Sequence, residues 1–169
     1  MKRLAKIGCL IVAACISICA LSACGGSSSG SGSSSSAASN SKLTLGSTFE
    51  FDKLEITFGD AIETDPLHNQ FSEYDGETGI KIPVSITNKK DETHSLNMFY
   101  LKVFGSKGTE LHDISSYFME EDVRCMGELR TGATQNGYLT ALYDGNGEYV
   151  FEFAKPASSK TEVFVPVAL

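Results

Sequence analysis

The chain has 169 residues, 21% of them charged, and a formal net charge of −7. That length excludes a large multidomain enzyme or a transporter solute receptor, because about 127 residues remain beyond position 42, enough for one domain with its own core. Lys2, Arg3 and Lys6 lie in a leader without acids, so the remainder sits near −10, which disfavours nucleic acid and anionic lipid head groups as partners.

The first element is an export signal over residues 1–23. Met1-Lys2-Arg3-Leu4-Ala5-Lys6 supplies the positive start, and the apolar run from Ile7 to Leu21 is shorter than the roughly 20 residues a spanning helix needs. It ends in Leu21-Ser22-Ala23-Cys24-Gly25, which resembles the lipobox of bacterial lipoproteins. The resemblance implies that the Cys24 thiol takes a diacylglycerol and that cleavage leaves Cys24 as the first mature residue. Two acyl chains suffice for a stable anchor where one is marginal. Of five cysteines, Cys9, Cys15 and Cys19 leave with the signal, Cys24 is the expected lipid-attachment site, and Cys125 remains without a disulfide partner and reads as a small core residue.

Residues 24–42 form the acylated cysteine and a tether. Gly25 to Ser41 is Ser, Gly and Ala with one Asn, a composition that builds no core and spans roughly 20–25 Å in the r.m.s. sense, or about 58 Å extended. The expected location is the extracytoplasmic face of the cell membrane.

From residue 43 to 169 the pattern is that of strands. Phe49 and Phe51 share one phase and Leu54, Ile56 and Phe58 the other, so a tight turn or bulge is expected at Asp52-Lys53. Ile80, Ile82, Val84 and Ile86 alternate with Lys81, Pro83, Ser85 and Thr87; the proline argues for a sheet edge or a bulge. Phe99, Leu101 and Val103 predict a strand that returns through Gly105-Ser106-Lys107-Gly108 as a hairpin. Ile114, Tyr117 and Phe118 are at helical spacing within residues 112–122, which predicts one or two helical turns capping the sandwich. Leu139 to Tyr143, then Tyr149, Phe151 and Phe153 after a turn at Asp144-Gly145-Asn146-Gly147, and finally Thr161 to Val167 complete seven or eight short strands. The fold class expected is all-β, an Ig-like antiparallel β-sandwich.

Gly46-Ser47-Thr48-Phe49 before Leu54-Glu55-Ile56-Thr57, the step Ile86-Thr87-Asn88, and the glycines of Gly132 and Gly137-Tyr138 resemble a family of Ig-like bacterial extracellular lipoproteins related to the mycobacterial immunoprotective antigen. Thr131 stands where that family has proline. The resemblance implies the sandwich and the surface location and brings no catalytic residue.

No nucleophile elbow, P-loop, dinucleotide fingerprint or zinc motif occurs. His68, His94 and His112 have no ligand spacing. The connection over residues 59–78 is long and acidic, with Asp60, Glu63, Asp65, Glu73, Asp75 and Glu77 beside His68, Phe71 and Tyr74; it can serve as a solvated loop, as an oxygen-rich Ca²⁺ site, or as a contact for a cationic ligand. Glu120-Glu121-Asp122 reads as a solvated face. The expected function is a membrane-anchored binding or interaction module for a protein or small cationic ligand, not an enzyme, with no cofactor, no metal and no nucleic acid. A cell-envelope enzyme or Ca²⁺-dependent factor using residues 59–78 is the alternative, and a structural role in the envelope a third possibility.

Overall fold

The alternating runs form strands whose apolar sides face a shared interior. The computed structural model describes residues 42–114, 125 and 127–169; the leader, Cys24, residues 25–41 and the helical turns expected beyond Ile114 lie outside the described residues. In chain order the elements are β1 (Leu43–Thr44), β2 (Thr48–Phe51), β3 (Leu54–Phe58), β4 (Glu63–Pro66), β5 (Thr78–Asn88), a 3-10 turn (Met98–Tyr100), β6 (Leu101–Phe104), β7 (Thr134–Leu142), β8 (Gly147–Phe153) and β9 (Thr161–Val167). They make two sheets. One is ordered β1-β9-β8-β6; the other is ordered β2-β3-β5-β4, with β7 also paired to β5.

The expected β-sandwich is therefore present. Its interior is built from Leu54, Ile56, Phe58, Ile80, Ile82 and Ile86 of one sheet against Tyr149, Phe151, Phe153, Val163 and Val165 of the other. Two details differ from expectation. β1 pairs parallel to β9, Leu43 opposite Val163, so the sheet is not wholly antiparallel. The strands also number nine among the described residues, because the two-residue β1 and the acidic β4 carry no alternating apolar signal.

Pro83 is neither at an edge nor simply outside the ladder. β5 is central, with β7 along one side from Gly79 to Thr87 and β3 then β4 along the other. Residues 59–62 bulge between Phe58 and Glu63, opposite Ile82 and Pro83. There Gly59 N donates to Pro83 O at 2.7 Å. The backbone nitrogen of Pro83 points to this same interrupted side, so its missing N–H leaves no ladder bond unmade.

Phe99 also departs from the predicted strand. Asn97 Oδ1 accepts from Phe99 N at 3.0 Å and caps the 3-10 turn, so pairing starts at Leu101 and Phe99 is left 93% exposed. The local Asn97 hydrogen bond competes with the extended conformation and wins. The hairpin expected at residues 105–108 is present, closed by Gly105 N to Thr109 O at 2.9 Å.

The core holds two groups that resist ionisation. Burial pushes the Cys125 thiol up to about 12, consistent with a packed core residue. Burial, then the hydrogen bond with Asp144, pushes the Tyr149 hydroxyl up to about 12; that hydroxyl donates to Gly145 O at 3.0 Å and accepts from Asp144 N at 2.8 Å. Both folded values exceed the unfolded ones, about 8.5 and about 10, so the stability they carry is complete below about pH 8.5 and is lost as pH rises toward 12. Urea midpoints should accordingly be lower at about pH 10.5 than at about pH 7, with Cys125→Ala flattening part of the decline. Equal midpoints for the parent chain at the two values would contradict the burial of these groups.

Candidate functional site

The outer face of the five-stranded sheet carries two cross-strand rows, because side chains two apart on each strand share a face. One row runs Thr48, Thr57, Ser85, Asn136; the next runs Glu50, Glu55, Thr87, Thr134. Thr48 and Thr57 hydroxyls are hydrogen-bonded at 2.9 Å, and Thr87 and Thr134 at 2.8 Å. Above the first row opens a groove of about 670 Å³ lined by Thr57, Gly59, Ser85, Asn136, Gly137 and Tyr138, together with Pro83 and Val84. A glycine helps to keep it open: at Gly59 a Cβ would stand 3.1 Å from Pro83 Cβ.

One wall is Tyr138, held by a buried cation. Lys81 is only 4% exposed although it points to the outer face. Its ammonium pairs with Asp65, lies 3.9 Å from Glu63 Oε2, and sits 5.0 Å from the Tyr138 ring centroid. The Tyr138 hydroxyl donates to Glu63 Oε1 at 3.3 Å. A lysine this buried needs such partners, and together they fix the tilt of the tyrosine ring. Lys81→Ala should remove about 2 kcal/mol of stability, less than a fully buried pair would lose because water can reach both acids. Lys81→Met, which keeps the stem packed, should lose less than half of that. Denaturant titration reads both, and an unaltered Lys81→Ala midpoint would show that the cation contributes nothing.

The acidic connection over residues 59–78 thus divides. Glu63 and Asp65 lie on β4 and serve Lys81. Residues 67–77 form a closed loop, with Leu67 N donating to Glu77 O at 2.8 Å and Gly76 N to Leu67 O at 2.9 Å, anchored by the buried Leu67. Asp75 Oδ1 accepts from Asn69 N at 2.8 Å. Tyr74 stacks on His112 with ring centroids 5.9 Å apart, and His68 and Phe71 are exposed. Among the described residues no group of three or more His, Cys, Asp or Glu side chains is arranged to hold a metal ion.

At the opposite end of the sandwich, Asp52 and His94 meet although 42 positions separate them. Asp52 Oδ1 accepts from Lys155 Nζ at 2.7 Å and lies 3.6 Å from Lys90 Nζ, while Oδ2 lies 3.1 Å from His94 Nε2. A cleft of about 760 Å³ adjoins them, lined also by Ser95, Met98, Phe99 and Tyr100. Burial works to raise the Asp52 carboxyl, but the Lys155 hydrogen bond, the charges of Lys90 and Lys155 and the adjoining His94 ring outweigh it and hold it below the usual carboxylate range. A histidine–carboxylate pair beside a cleft invites comparison with a hydrolytic site, but both ring nitrogens are occupied: His94 Nδ1 lies 3.2 Å from Lys90 Nζ. An ammonium only donates, so Nδ1 accepts from it and neither nitrogen is free to take a proton from a nucleophile. The cluster joins three loops rather than poising a base.

Sequence spacing missed Lys81, Tyr138 and Asp52 as parts of clusters. A lysine at an outward position of the longest strand, with two acids at period two upstream, was the available signal for the first. For Asp52 there was only its place in a turn.

No family model and no curated protein matches the chain. Solved structures share its fold. The yjhA protein of Bacillus subtilis aligns with a TM-score of 0.54 at 15% identity over 73% of this chain and 99% of that one. A candidate lipoprotein of Bacillus subtilis, ycdA, gives 0.54 at 10% identity over 70% of this chain, which spans only 38% of the ycdA chain. A functionally unknown protein of Listeria monocytogenes gives 0.53 at 13% identity over 75% and 83%. At these identities the likeness is one of fold.

Proposed function

We propose that the chain is a lipoprotein, acylated at Cys24 and held on the extracytoplasmic face of the membrane, whose sandwich is a binding module and not an enzyme. The observation that carries this reading is the order along the chain: a charged and apolar leader, Leu21-Ser22-Ala23-Cys24, a Ser/Gly stretch, and then a complete sandwich that starts at Leu43. A thiol at the end of an export signal followed by a coreless tether suits presentation of a water-soluble domain. Within that sandwich both ring nitrogens of His94 are taken up by Asp52 and Lys90, while the sheet face offers an open groove, which favours binding over catalysis. The fold shared with the candidate lipoprotein ycdA agrees with this reading, and membership of the Ig-like extracellular lipoprotein family related to the mycobacterial antigen is part of the same proposal. Its acidic charge would hold the domain off an anionic leaflet.

Replacing Cys24 with Ala tests the anchor. Palmitate labelling should fall by about tenfold or more, with the chain lost from the membrane fraction or retained as an unprocessed precursor. Labelling that persists in Cys24→Ala would place the acyl group elsewhere and remove the basis of the reading.

A further inference from the structure

We propose that the groove on the outer face of the five-stranded sheet binds an uncharged, hydroxyl-rich ligand, a segment of a neutral glycan chain; this deepens the binding-module reading and rests on it. Four observations converge. First, none of the groove's described lining residues carries a charge, in a chain of net charge −7. The nearest ionic groups are Lys81 and its two acids, Glu63 and Asp65, in which the single cation is already taken up, so an anionic ligand would meet no counter-charge there.

Second, the strands under the groove are hydrogen-bonded to one another from Thr48 across to Asn136. An extended peptide lying over this row therefore finds no open ladder beneath it, and could add a strand only along the outer side of β7, beside the groove and not on it. Recognition falls to side chains. The Ser85 hydroxyl and the Asn136 amide stand opposite one another and offer donors and acceptors side by side, a set that matches vicinal hydroxyls or an acetamido group.

Third, Tyr138 presents a large ring whose orientation Lys81 and Glu63 fix in advance. A pyranose ring has an apolar C–H face that packs on such a surface while its rim hydroxyls reach polar neighbours. Fixing the ring before binding reduces the ordering that association must bring about. Fourth, a volume of about 670 Å³ that is open along the sheet falls within the small-molecule range and suits a chain that crosses the face. Apolar ligands are disfavoured, because Thr57, Ser85 and Asn136 would be desolvated without partners. A shallow polar site of this kind should bind weakly, with Kd in the range of about 0.1–1 mM.

The test uses the full lipidated chain in zwitterionic, sugar-free detergent micelles. Saturation-transfer NMR is run with three uncharged hexasaccharides at about 1 mM: β-1,4-linked glucose, β-1,4-linked N-acetylglucosamine and α-1,4-linked glucose. At least one should receive saturation. The double variant Ser85→Ala/Asn136→Ala, at surface positions, should weaken binding by about fivefold or more without changing thermal unfolding. Tyr138→Phe should retain binding and Tyr138→Ala should lose it, which separates the ring face from the hydroxyl. No transfer to any of the three sugars, or equal transfer in the double variant, overturns the proposal. So does self-association without sugar that the double variant abolishes, since a second copy would then occupy the groove. Mass analysis of Cys24 in the same preparation keeps the two readings apart: an acylated chain that ignores sugar fails only this inference, and a bare Cys24 with sugar binding fails only the anchor.

Discussion

Phe153→Ala is expected to lower stability by about 4 kcal/mol and the unfolding temperature by about 15 °C. Phe153 is fully buried and is the ring on which both sheets converge. Its centroid lies 5.1 Å from Phe49, 5.6 Å from Phe51 and 6.2 Å from Phe58, all three from the facing sheet. Truncation removes the transfer free energy of the ring, leaves a cavity between rigid strands that cannot close around it, and deletes edge contacts that add to simple burial. Phe153→Leu should recover about half of the loss, because it restores volume without the ring geometry. Calorimetry of both variants checks the order, and a loss below about 1 kcal/mol for Phe153→Ala would mean that the two sheets do not pack on this residue.

Asp52→Ala should remove about 3 kcal/mol, the next largest effect expected. The side chain accepts charge-assisted hydrogen bonds within a knot that ties the β2–β3 turn to the segment after β5 and the β8–β9 connection. Such bonds are worth more than neutral ones. The backbone adds to it: Asp52 and Lys53 have φ of 51° and 65°, the left-handed pair of a two-residue hairpin turn, which Asp tolerates better than Ala. Asp52→Asn keeps that tolerance and loses only the charge, so it should fall short of half the Ala effect. The difference from the parent chain also has a pH signature. The folded carboxyl is held below its unfolded value, so its contribution is full above about pH 5 and is lost as pH falls through the ordinary carboxylate range and below. Parent and Asp52→Asn should converge as pH falls below the ordinary carboxylate range, and a gap that widens on acidification would contradict the direction of the shift.

Particular residues show how far pattern reading reaches. Leu54, Ile56 and Phe58 against Phe49 and Phe51 placed the turn at Asp52-Lys53 correctly, because a change of phase needs two residues that reverse the chain. Tyr149, Phe151 and Phe153 gave the interior face of β8 for the same reason. Phe99 obeyed the same alternation and yet lies outside, since a short-range hydrogen bond from Asn97 outweighs a period of two over three residues. β4 was invisible because Glu63, Thr64, Asp65 and Pro66 have no apolar face to bury; the strand exists because β5 is long enough to pair with it beyond the end of β3 and because Lys81 draws its two acids together.

The order of side chains along the chain determined the all-β class, the inward face of each long strand, the acidic balance and the cysteine at which an anchor is expected, all properties carried by neighbours within a few positions. Only the tertiary structure decided that Lys81 is buried beneath Tyr138, that Pro83 sits opposite a bulge in a central strand, that Asp52 gathers Lys90, His94 and Lys155, and that an uncharged groove opens beside Gly59 and Gly137. Each of these joins residues from separate strands or loops, and the closeness of such residues is set by sheet register and loop closure, which spacing along the chain does not encode.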